Sequence, residues 1–281
     1  MGVKFRLVLY ANSKSKAAAA ARAAFDRISR LERIFSDYRA NSEARRLTTA
    51  AESQTVRVSK DMSRILKVSL KIAAQSGGAF DPTLGALTQQ WRRARTLQQE
   101  LSPAQIETAR AQTGWEKLTW SPKDSTLRHD CPGLAFDFGG IAKGDAADEA
   151  AKVLESMGYR QYLIDAGGDL RLGAAPPGKT GWSVQLGYQG ETRHLSHCGV
   201  ATSGATFKYL LQASRRQSHI LDPGHGKGLV TDQELTCIAN NATLADALAT
   251  AGSVLGEGPK REALARHYSA EFLSTRAPRP R

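Results

Sequence analysis

The chain has 281 residues, 41% hydrophobic and 23% charged, which are proportions typical of a globular protein with a sizeable core. It contains no apolar run of about 18 residues or more, which excludes a membrane-spanning helix. Its three cysteines are far apart and lack C-x-x-C spacing, so neither a disulfide framework nor a structural zinc site is indicated. The net charge of +12 favours an anionic partner but does not distinguish nucleic acid, acidic lipid, a phosphorylated cofactor and an acidic protein.

The first half of the chain is predicted to be mainly helical after one strand. Alternating apolar and polar residues in MGVKFRLVLYA predict a strand at the start. A long helix then ends near residues 36–42, and a second helix begins after Ser59 and stops at Gly77. A further helix is predicted in SPAQIETARAQTG, where Ser102 is the N-cap, proline takes the first helical position and Gly114 is the C-cap.

The second half of the chain combines strands with two more helices. Residues 115–138 are predicted to form short strands joined by a turn. A helix over residues 142–157 follows, and after it come the strand-like runs QYLIDA, WSVQLGY, HILD and ELTCIA. Short Gly-containing turns between strands suit antiparallel pairing. We therefore predict an α+β fold with mixed, largely antiparallel sheets and packed helices, in one domain over residues 1–281.

A single carboxylate, Asp246, stands among small and apolar residues in the last predicted helix, TLADALATAGSVLG. On a helical wheel Asp246 and Thr250 are neighbours on the face opposite a leucine stripe. Such oxygen ligands suit Mg²⁺, which takes one or two carboxylates together with phosphate oxygens. The pattern Thr243-x-x-Asp246 also fits a capping box at the helix start, which is the simpler interpretation of the helix alone.

Two glycine-containing stretches are candidates for ligand binding. FDFGGIAKGDAADEAAKVL, residues 136–154, places three glycines and Lys143 around a helix start, an arrangement that favours an anion. It is neither a Walker A motif nor a dinucleotide fingerprint. SHILDPGHGKG, residues 218–228, offers His219 as a general base near neutral pH. Each stretch taken singly is also compatible with an ordinary turn.

Three weaker patterns have simple structural interpretations. DAGGDLRLG, residues 165–173, places two carboxylates around a Gly pair and is interpreted as a bend between strands. VATSG, residues 200–204, lacks the G-x-S-x-G elbow of a serine hydrolase. HLSHC, residues 194–198, has no further zinc ligands at suitable spacing and is interpreted as a strand end.

Eight motifs, in order over nearly the whole chain, resemble those of the FAD:protein FMN transferase family, the ApbE-type flavin transferases. They are MG at the first strand, SDYRANSEARRL (36–47), GGAFDPTLGALTQQW (77–91), FDFGGIAKGDAAD (136–148), DAGGDLRLG (165–173), ATSG (201–204), HILDPGHGKG (219–228) and ADALATAGSVLG (245–256). Each motif alone is weak evidence for the family, whereas eight motifs in the same order are specific to it. The resemblance implies a T-fold-like architecture.

The resemblance also implies a reaction and a set of site residues. The implied enzyme depends on Mg²⁺, cleaves the pyrophosphate of FAD, releases AMP and attaches FMN through a phosphoester to a Thr or Ser of a target protein. The implied metal ligands are Asp246, Thr250 and the backbone carbonyl of Ala142. The residues implied to contact FAD are Met1, Tyr38, Ala79, Phe80, Asp81, Gly139, Lys143, Asp145 and Ile220. For the base that takes the acceptor hydroxyl proton we predict His219, with Asp246 as the second candidate.

Two other functions use the same pocket. One is a Mg²⁺-dependent FAD pyrophosphatase that produces FMN and AMP with water as the acceptor, and the other is a non-catalytic flavin-binding protein. A nucleic-acid binder has only the net positive charge in its favour.

The resemblance and the start of the chain give expectations for the partner and the compartment. The expected acceptor is a flavoprotein with a Thr/Ser flavinylation motif, such as a subunit of a membrane redox complex. No signal peptide is visible, so we expect a cytoplasmic protein. A periplasmic, membrane-anchored location is the alternative if the natural protein starts further upstream.

Overall fold

Helices and strands are interleaved along the chain in the computed structural model, which describes residues 2–50, 52–188, 190–204, 209–212 and 215–276. The helices are α1 (Lys14–Phe35), α2 (Glu43–Thr48), α3 (Lys60–Gln75), α4 (Gly85–Leu97), α5 (Pro103–Ala111), α6 (Ala142–Ser156), α7 (Ala242–Leu255) and α8 (Pro259–Tyr268). The strands are β1 (Phe5–Leu9), β2 (Val56–Arg57), β3 (Leu118–Ser121), β4 (Thr126–His129), β5 (Tyr162–Ala166), β6 (Leu170–Leu172), β7 (Trp182–Gln185), β8 (Thr192–Leu195), β9 (Gly199–Gly204), β10 (Tyr209–Gln212), β11 (Arg215–Ser218), β12 (Leu221–Asp222), β13 (Lys227–Gly228), β14 (Gln233–Ala239) and β15 (Glu271–Arg276).

A six-stranded sheet organises the fold. Its strand order is β1-β5-β6-β9-β14-β15, and every neighbouring pair is antiparallel. Smaller sheets form from β2-β4-β3, β7-β8, β10-β11 and β12-β13. The prediction of an α+β fold with largely antiparallel sheets is therefore confirmed.

Helices α6 and α7 are built largely from alanine on their buried faces. The fully or almost fully buried alanines are Ala146, Ala147, Ala150 and Ala151 of α6, and Ala245, Ala247, Ala249 and Ala251 of α7. Because small side chains let helix axes approach closely, α7 packs on β9 and β14 while α6 packs against α7, α1 and β5. The central sheet thus fixes α7, and α7 in turn fixes α6.

The tightest approach between these two helices occurs at Gly144 in the first turn of α6. A Cβ atom added there would lie 2.1 Å from the carbonyl oxygen of Ala242, at the start of α7. No side chain fits at this distance, so glycine is required for close packing rather than for an unusual backbone angle. The N-terminal ends of α6 and α7 are therefore held against each other.

Most of the predicted helices begin at the N-cap residues that the sequence predicts. Ser59 caps α3 and Ser102 caps α5, the latter in a complete capping box with Gln105. The predicted end of α5 at Gly114 is wrong, because the helix stops at Ala111 and the Thr113 hydroxyl donates to a carbonyl of its last turn. No helix in the described part of the chain is both long and apolar enough to cross a membrane.

The Gly144→Ala variant tests the close approach of α6 and α7. In an ordinary helix this change stabilises by up to about 1 kcal/mol. Here we expect destabilisation of roughly 1–3 kcal/mol, because the added methyl group forces the two helices apart. Urea unfolding of the two proteins measures the difference, and a variant more stable than the wild type would contradict this account.

Candidate functional site

Three charged side chains meet where α6 begins beside α7. The Lys143 ammonium contacts Oδ2 of Asp169, and its Nζ lies 3.4 Å from Oδ1 of Asp246. Asp169 and Asp246 are only 3% and 4% exposed. The backbone N–H of Gly144 donates to Oδ2 of Asp246 at 3.1 Å. Residues far apart in the sequence thus form one buried ionic cluster, which we call the Lys143 cluster (Lys143, Asp169 and Asp246).

Asp246 is not a helix cap. Helix α7 begins at Ala242, and its N-cap is Asn241, whose side chain accepts a first-turn backbone N–H at 2.9 Å. The free N–H groups of Ala242 and Thr243 donate to the carboxylate of Asp148 on α6, at 3.0 and 2.8 Å. Asp246 lies beyond this turn and receives its hydrogen bond from α6. The capping-box interpretation of residues 243–246 is therefore wrong.

The Lys143 cluster contains one cation and two carboxylates. Burial and the neighbouring charge of Asp246 raise the pKa of Asp169 to about 7, although Lys143 acts in the opposite direction. Burial lowers the pKa of Lys143, but the two carboxylates outweigh it and raise that pKa overall. With both carboxylates ionised, the cluster has a net negative charge in a buried place. It therefore attracts a further cation.

Thr250 lies one turn after Asp246 and faces the loop that precedes α6. Its hydroxyl donates to the carbonyl of Asp246 at 3.2 Å. A Cβ atom added to Gly140 would lie 2.9 Å from Oγ1 of Thr250 and 3.4 Å from the ring of Phe80. Glycine at position 140 therefore keeps the Thr250 oxygen uncovered by the loop. Ala142, two residues after Gly140, is the first residue of α6, and its role as a metal ligand stays a prediction.

The Gly-rich loop is connected to Tyr38 through Arg92. Gly139 donates its N–H to Oδ1 of Asp137 at 2.7 Å, and Nη2 of Arg92 lies 3.6 Å from Oδ2 of Asp137. The Arg92 guanidinium lies over the Tyr38 ring, 4.2 Å from its centroid. Tyr38 is nevertheless 75% exposed. Its ring is thus held in place and remains accessible to a flat ligand.

The predicted ligand-binding segment 79–81 is buried beside α4. Asp81 accepts hydrogen bonds from the backbone N–H groups of Thr83 at 2.7 Å and Trp115 at 3.2 Å. Burial raises its pKa. Ala79 and Phe80 are also buried, and the Phe80 ring reaches the Gly140 side of the loop. The Asp81 side chain therefore secures this turn, and its contact with FAD stays a prediction.

Asp145 does not join the Lys143 cluster. It accepts two hydrogen bonds from Arg64 of α3, at 3.0 and 2.7 Å. Two positions along a helix correspond to a rotation of about 200°, which directs Asp145 and Lys143 to different faces of α6. On the Asp145 face, Arg27 of α1 donates to Asp61 at 2.7 Å and to Glu149 at 3.1 Å. These ion pairs join α1, α3 and α6.

Two further predicted residues lie between β11 and β12. His219 is exposed directly after β11, and Ile220 beside it is buried. The next residue, Leu221, packs in an apolar cluster with side chains of α4 and α5. Met1 lies outside the described residues.

Protein side chains do not form a ready-made transition-metal site in the described ranges. No group of three or more His, Cys, Asp or Glu residues could hold a metal ion there. His194 lies on β8 and His197 follows in a left-handed turn, which confirms that HLSHC marks a strand end. A cation beside Asp246 would therefore rely on hydroxyl, carbonyl and ligand oxygens, as Mg²⁺ does.

The family model for the ApbE family matches residues 1–273. The chain belongs to the ApbE family. It is 30% identical to the FAD:protein FMN transferase of Klebsiella pneumoniae (strain 342), over 91% of this chain and 77% of the relative. It is 28% identical to the FAD:protein FMN transferase of Escherichia coli K12, over 87% of this chain and 73% of the relative. The identification made from the eight motifs is therefore confirmed.

Solved ApbE structures share this fold over almost the entire chain. The ApbE protein of Thermotoga maritima matches with a TM-score of 0.87 and 28% identity, covering 98% of this chain and 94% of its own. The Pseudomonas stutzeri flavinyl transferase ApbE, in its apo form, matches with a TM-score of 0.81 and 26% identity over the same shares. The motifs that link this chain to ApbE proteins thus stand in the same overall architecture.

Three residues of this ApbE site were missed by the sequence analysis. Asp169 was interpreted as part of a strand bend, and the bend is real, because Gly167 and Gly168 have positive φ angles of 70° and 102°. Neither Arg92 nor Asp148 is singled out by any of the sequence patterns above. The available signal was the family motif DAGGD, whose second carboxylate lies in a position that only the sheet pairing reveals.

The Asp148→Ala variant tests how α7 is anchored. It removes the acceptor of two backbone N–H groups and of the Thr243 hydroxyl. We expect a loss of stability of about 0.5–2 kcal/mol, the cost of a lost helix cap. Urea unfolding measures this loss, with Thr243→Val as the milder control because it removes the hydroxyl contact alone. Equal stability of Asp148→Ala and the wild type would contradict the proposed anchor.

Proposed function

We propose that this protein transfers FMN from FAD to a Thr or Ser of an acceptor protein, forming a phosphoester and releasing AMP, with Mg²⁺ bound at Asp246. The observation that carries the proposal is the Lys143 cluster beside the Gly-rich loop at the start of α6. Relatives of this chain that are named FAD:protein FMN transferase support the same reaction.

The residues present fit a hard divalent cation. Asp246 supplies a buried carboxylate, Thr250 a hydroxyl, and Ala142 a backbone carbonyl, all of them oxygen donors. Glycine at position 140 leaves the Thr250 oxygen uncovered, and the Lys143 cluster attracts a cation when Asp169 is ionised. When bound, Mg²⁺ would neutralise charge on the pyrophosphate oxygens of FAD.

The protein's own side chains would mainly position and neutralise the substrate. Phosphoryl transfer depends on alignment and charge stabilisation more than on covalent chemistry by the enzyme. The acceptor hydroxyl oxygen bonds to the phosphorus of the FMN half, the bond from that phosphorus to the bridging oxygen breaks, and AMP leaves with that oxygen. Lys143 offers a positive charge to the pyrophosphate, and the exposed Tyr38 ring offers a surface to the adenine.

A base must take the proton of the acceptor hydroxyl. We assign this role to His219, with Asp246 as the second candidate. His219 is exposed, so an acceptor protein can reach it, and imidazole titrates near neutral pH. Asp246 is buried and already surrounded by Gly144 and Lys143. The acceptor we infer is a flavoprotein with a Ser/Thr flavinylation motif, such as a subunit of a membrane redox complex.

One assay tests the proposed reaction. The protein is incubated with FAD, Mg²⁺ and a candidate acceptor protein, denatured, and separated by electrophoresis, while AMP and free FMN are measured by chromatography. AMP together with a fluorescent acceptor band supports transfer. AMP with free FMN and an unlabelled acceptor would indicate a pyrophosphatase, and intact FAD would indicate a flavin-binding protein.

Asp246→Asn is expected to lower the Mg²⁺-dependent rate by about 100-fold or more, on the order of the loss when one key electrostatic group is removed. The asparagine keeps an oxygen that can accept the Gly144 N–H, so the protein should remain folded. Rates at several Mg²⁺ concentrations and a thermal unfolding curve check both statements. An active variant with unchanged Mg²⁺ dependence would remove Asp246 from the metal site.

His219→Ala is expected to lower the transfer rate by roughly 10²–10⁴-fold, the contribution of a general base. FAD binding should be preserved, because His219 is not among the residues predicted to contact FAD. The acidic limb of the rate-versus-pH profile should disappear as well, since it would report protonation of the imidazole. A normal rate with an unchanged pH profile would exclude His219 as the base.

A further inference from the structure

Lys143 has two competing carboxylate partners. Its ammonium contacts Asp169 and also lies 3.4 Å from Oδ1 of Asp246. The other oxygen of Asp246 accepts the Gly144 N–H at 3.1 Å. A cation that binds Asp246 must therefore approach the oxygen that Lys143 also faces. Two cations on one carboxylate oxygen repel each other, so the position of Lys143 affects the metal.

The backbone of Asp169 is held by the central sheet and not by a helix. It follows the Gly167-Gly168 turn between β5 and β6, and its carbonyl accepts the N–H of Ala166 at 2.8 Å. The next residue, Leu170, pairs with Val200 of β9 in the central sheet. The residue is 3% exposed, and its side chain has Lys143 as a cationic partner. The sheet thus fixes the backbone that carries the Asp169 carboxylate, and this carboxylate faces a lysine of α6.

We propose that Asp169 is a positioning residue that holds the Lys143 ammonium away from Oδ1 of Asp246, leaving this oxygen free for the metal. The inference rests on the proposed function, because it concerns the Mg²⁺ site named there. Asp169 need not touch the metal or FAD. Its effect passes through Lys143, which distinguishes it from a carboxylate that attracts Mg²⁺ by charge alone.

This mechanism predicts opposite effects for the two partners. In Asp169→Asn the ammonium keeps only Asp246 as a carboxylate partner, so the Kd for Mg²⁺ should rise by about 10–100-fold, as for other residues that orient metal ligands. In Lys143→Met the competitor is gone, so Mg²⁺ should bind at least as tightly as in the wild type. In the double variant Lys143→Met/Asp169→Asn, the loss of Asp169 should have little further effect.

The test is a double-mutant cycle on Mg²⁺ binding, measured by isothermal titration of the full chain with MgCl₂ alone. Asp165→Asn is the matched control, because Asp165 belongs to the same turn but accepts the N–H of Gly168 instead of contacting Lys143. Its Mg²⁺ affinity should equal that of the wild type. Thermal unfolding verifies that each variant is folded.

Two results would overturn the inference. One is Asp169→Asn with wild-type Mg²⁺ affinity, and the other is an equal loss of affinity in the wild-type and Lys143→Met backgrounds, which would mean that Asp169 acts by charge alone. If Asp169→Asn does not fold, Lys143→Met alone still tests the inference. Weaker Mg²⁺ binding by Lys143→Met would mean that Lys143 does not compete with the metal for Asp246. A wild-type protein that transfers FMN without binding Mg²⁺ would refute the proposed metal itself, which the transfer assay shows separately.

Discussion

The contact between the first turn of α6 and the start of α7 determines the arrangement of the site. At Gly144 the two helices are too close for any side chain, and the same residue gives its N–H to Asp246. One turn further along α6, Asp148 binds the free N–H groups of α7. A short part of one helix thus sets the distance, the orientation and the hydrogen bonding of the other. Loosening this contact would alter packing and chemistry together.

The ionic residues of α6 are divided between two faces with different roles. Asp145 and Glu149 pair with arginines of α3 and α1, in contacts that hold the helix in place. Lys143 faces two buried carboxylates on the other side. Burying such a group is costly unless its partners are well ordered, because desolvation opposes the Coulomb attraction. The ion pairs on the first face provide that order for the second.

Local sequence signals account for much of the fold. Ser59 and Ser102 cap their helices as predicted, because an N-cap depends on residues only three positions away. The capping box predicted at Thr243 does not form, because Asn241 caps α7 and the Thr243 N–H donates instead to Asp148, a distant residue on α6. Local patterns cannot identify such a partner. The family resemblance identified the segments of the site, whereas the contacts between them come from tertiary structure.

Asp169 is a second residue, within the site, whose contacts could not be predicted from local sequence patterns. Its motif predicts a bend, and the bend exists, but the direction of the carboxylate depends on how β6 pairs with β5 and β9. Strand register specifies which side of a sheet each residue faces, and register is set by long-range contacts. The charge pattern of a single segment therefore says little about which charges meet.

The stacking of Arg92 on Tyr38 leaves only one face of the Tyr38 ring open to a ligand. One face of the aromatic ring is covered by the guanidinium, so a flat base can stack only on the other. Because Arg92 also reaches Asp137, the plane of the ring is tied to the loop before α6. A flat ligand such as the adenine proposed above would not have to select the ring orientation, which would reduce the entropy lost on binding. Arg92 would in this way orient a ring for the proposed ligand without touching that ligand.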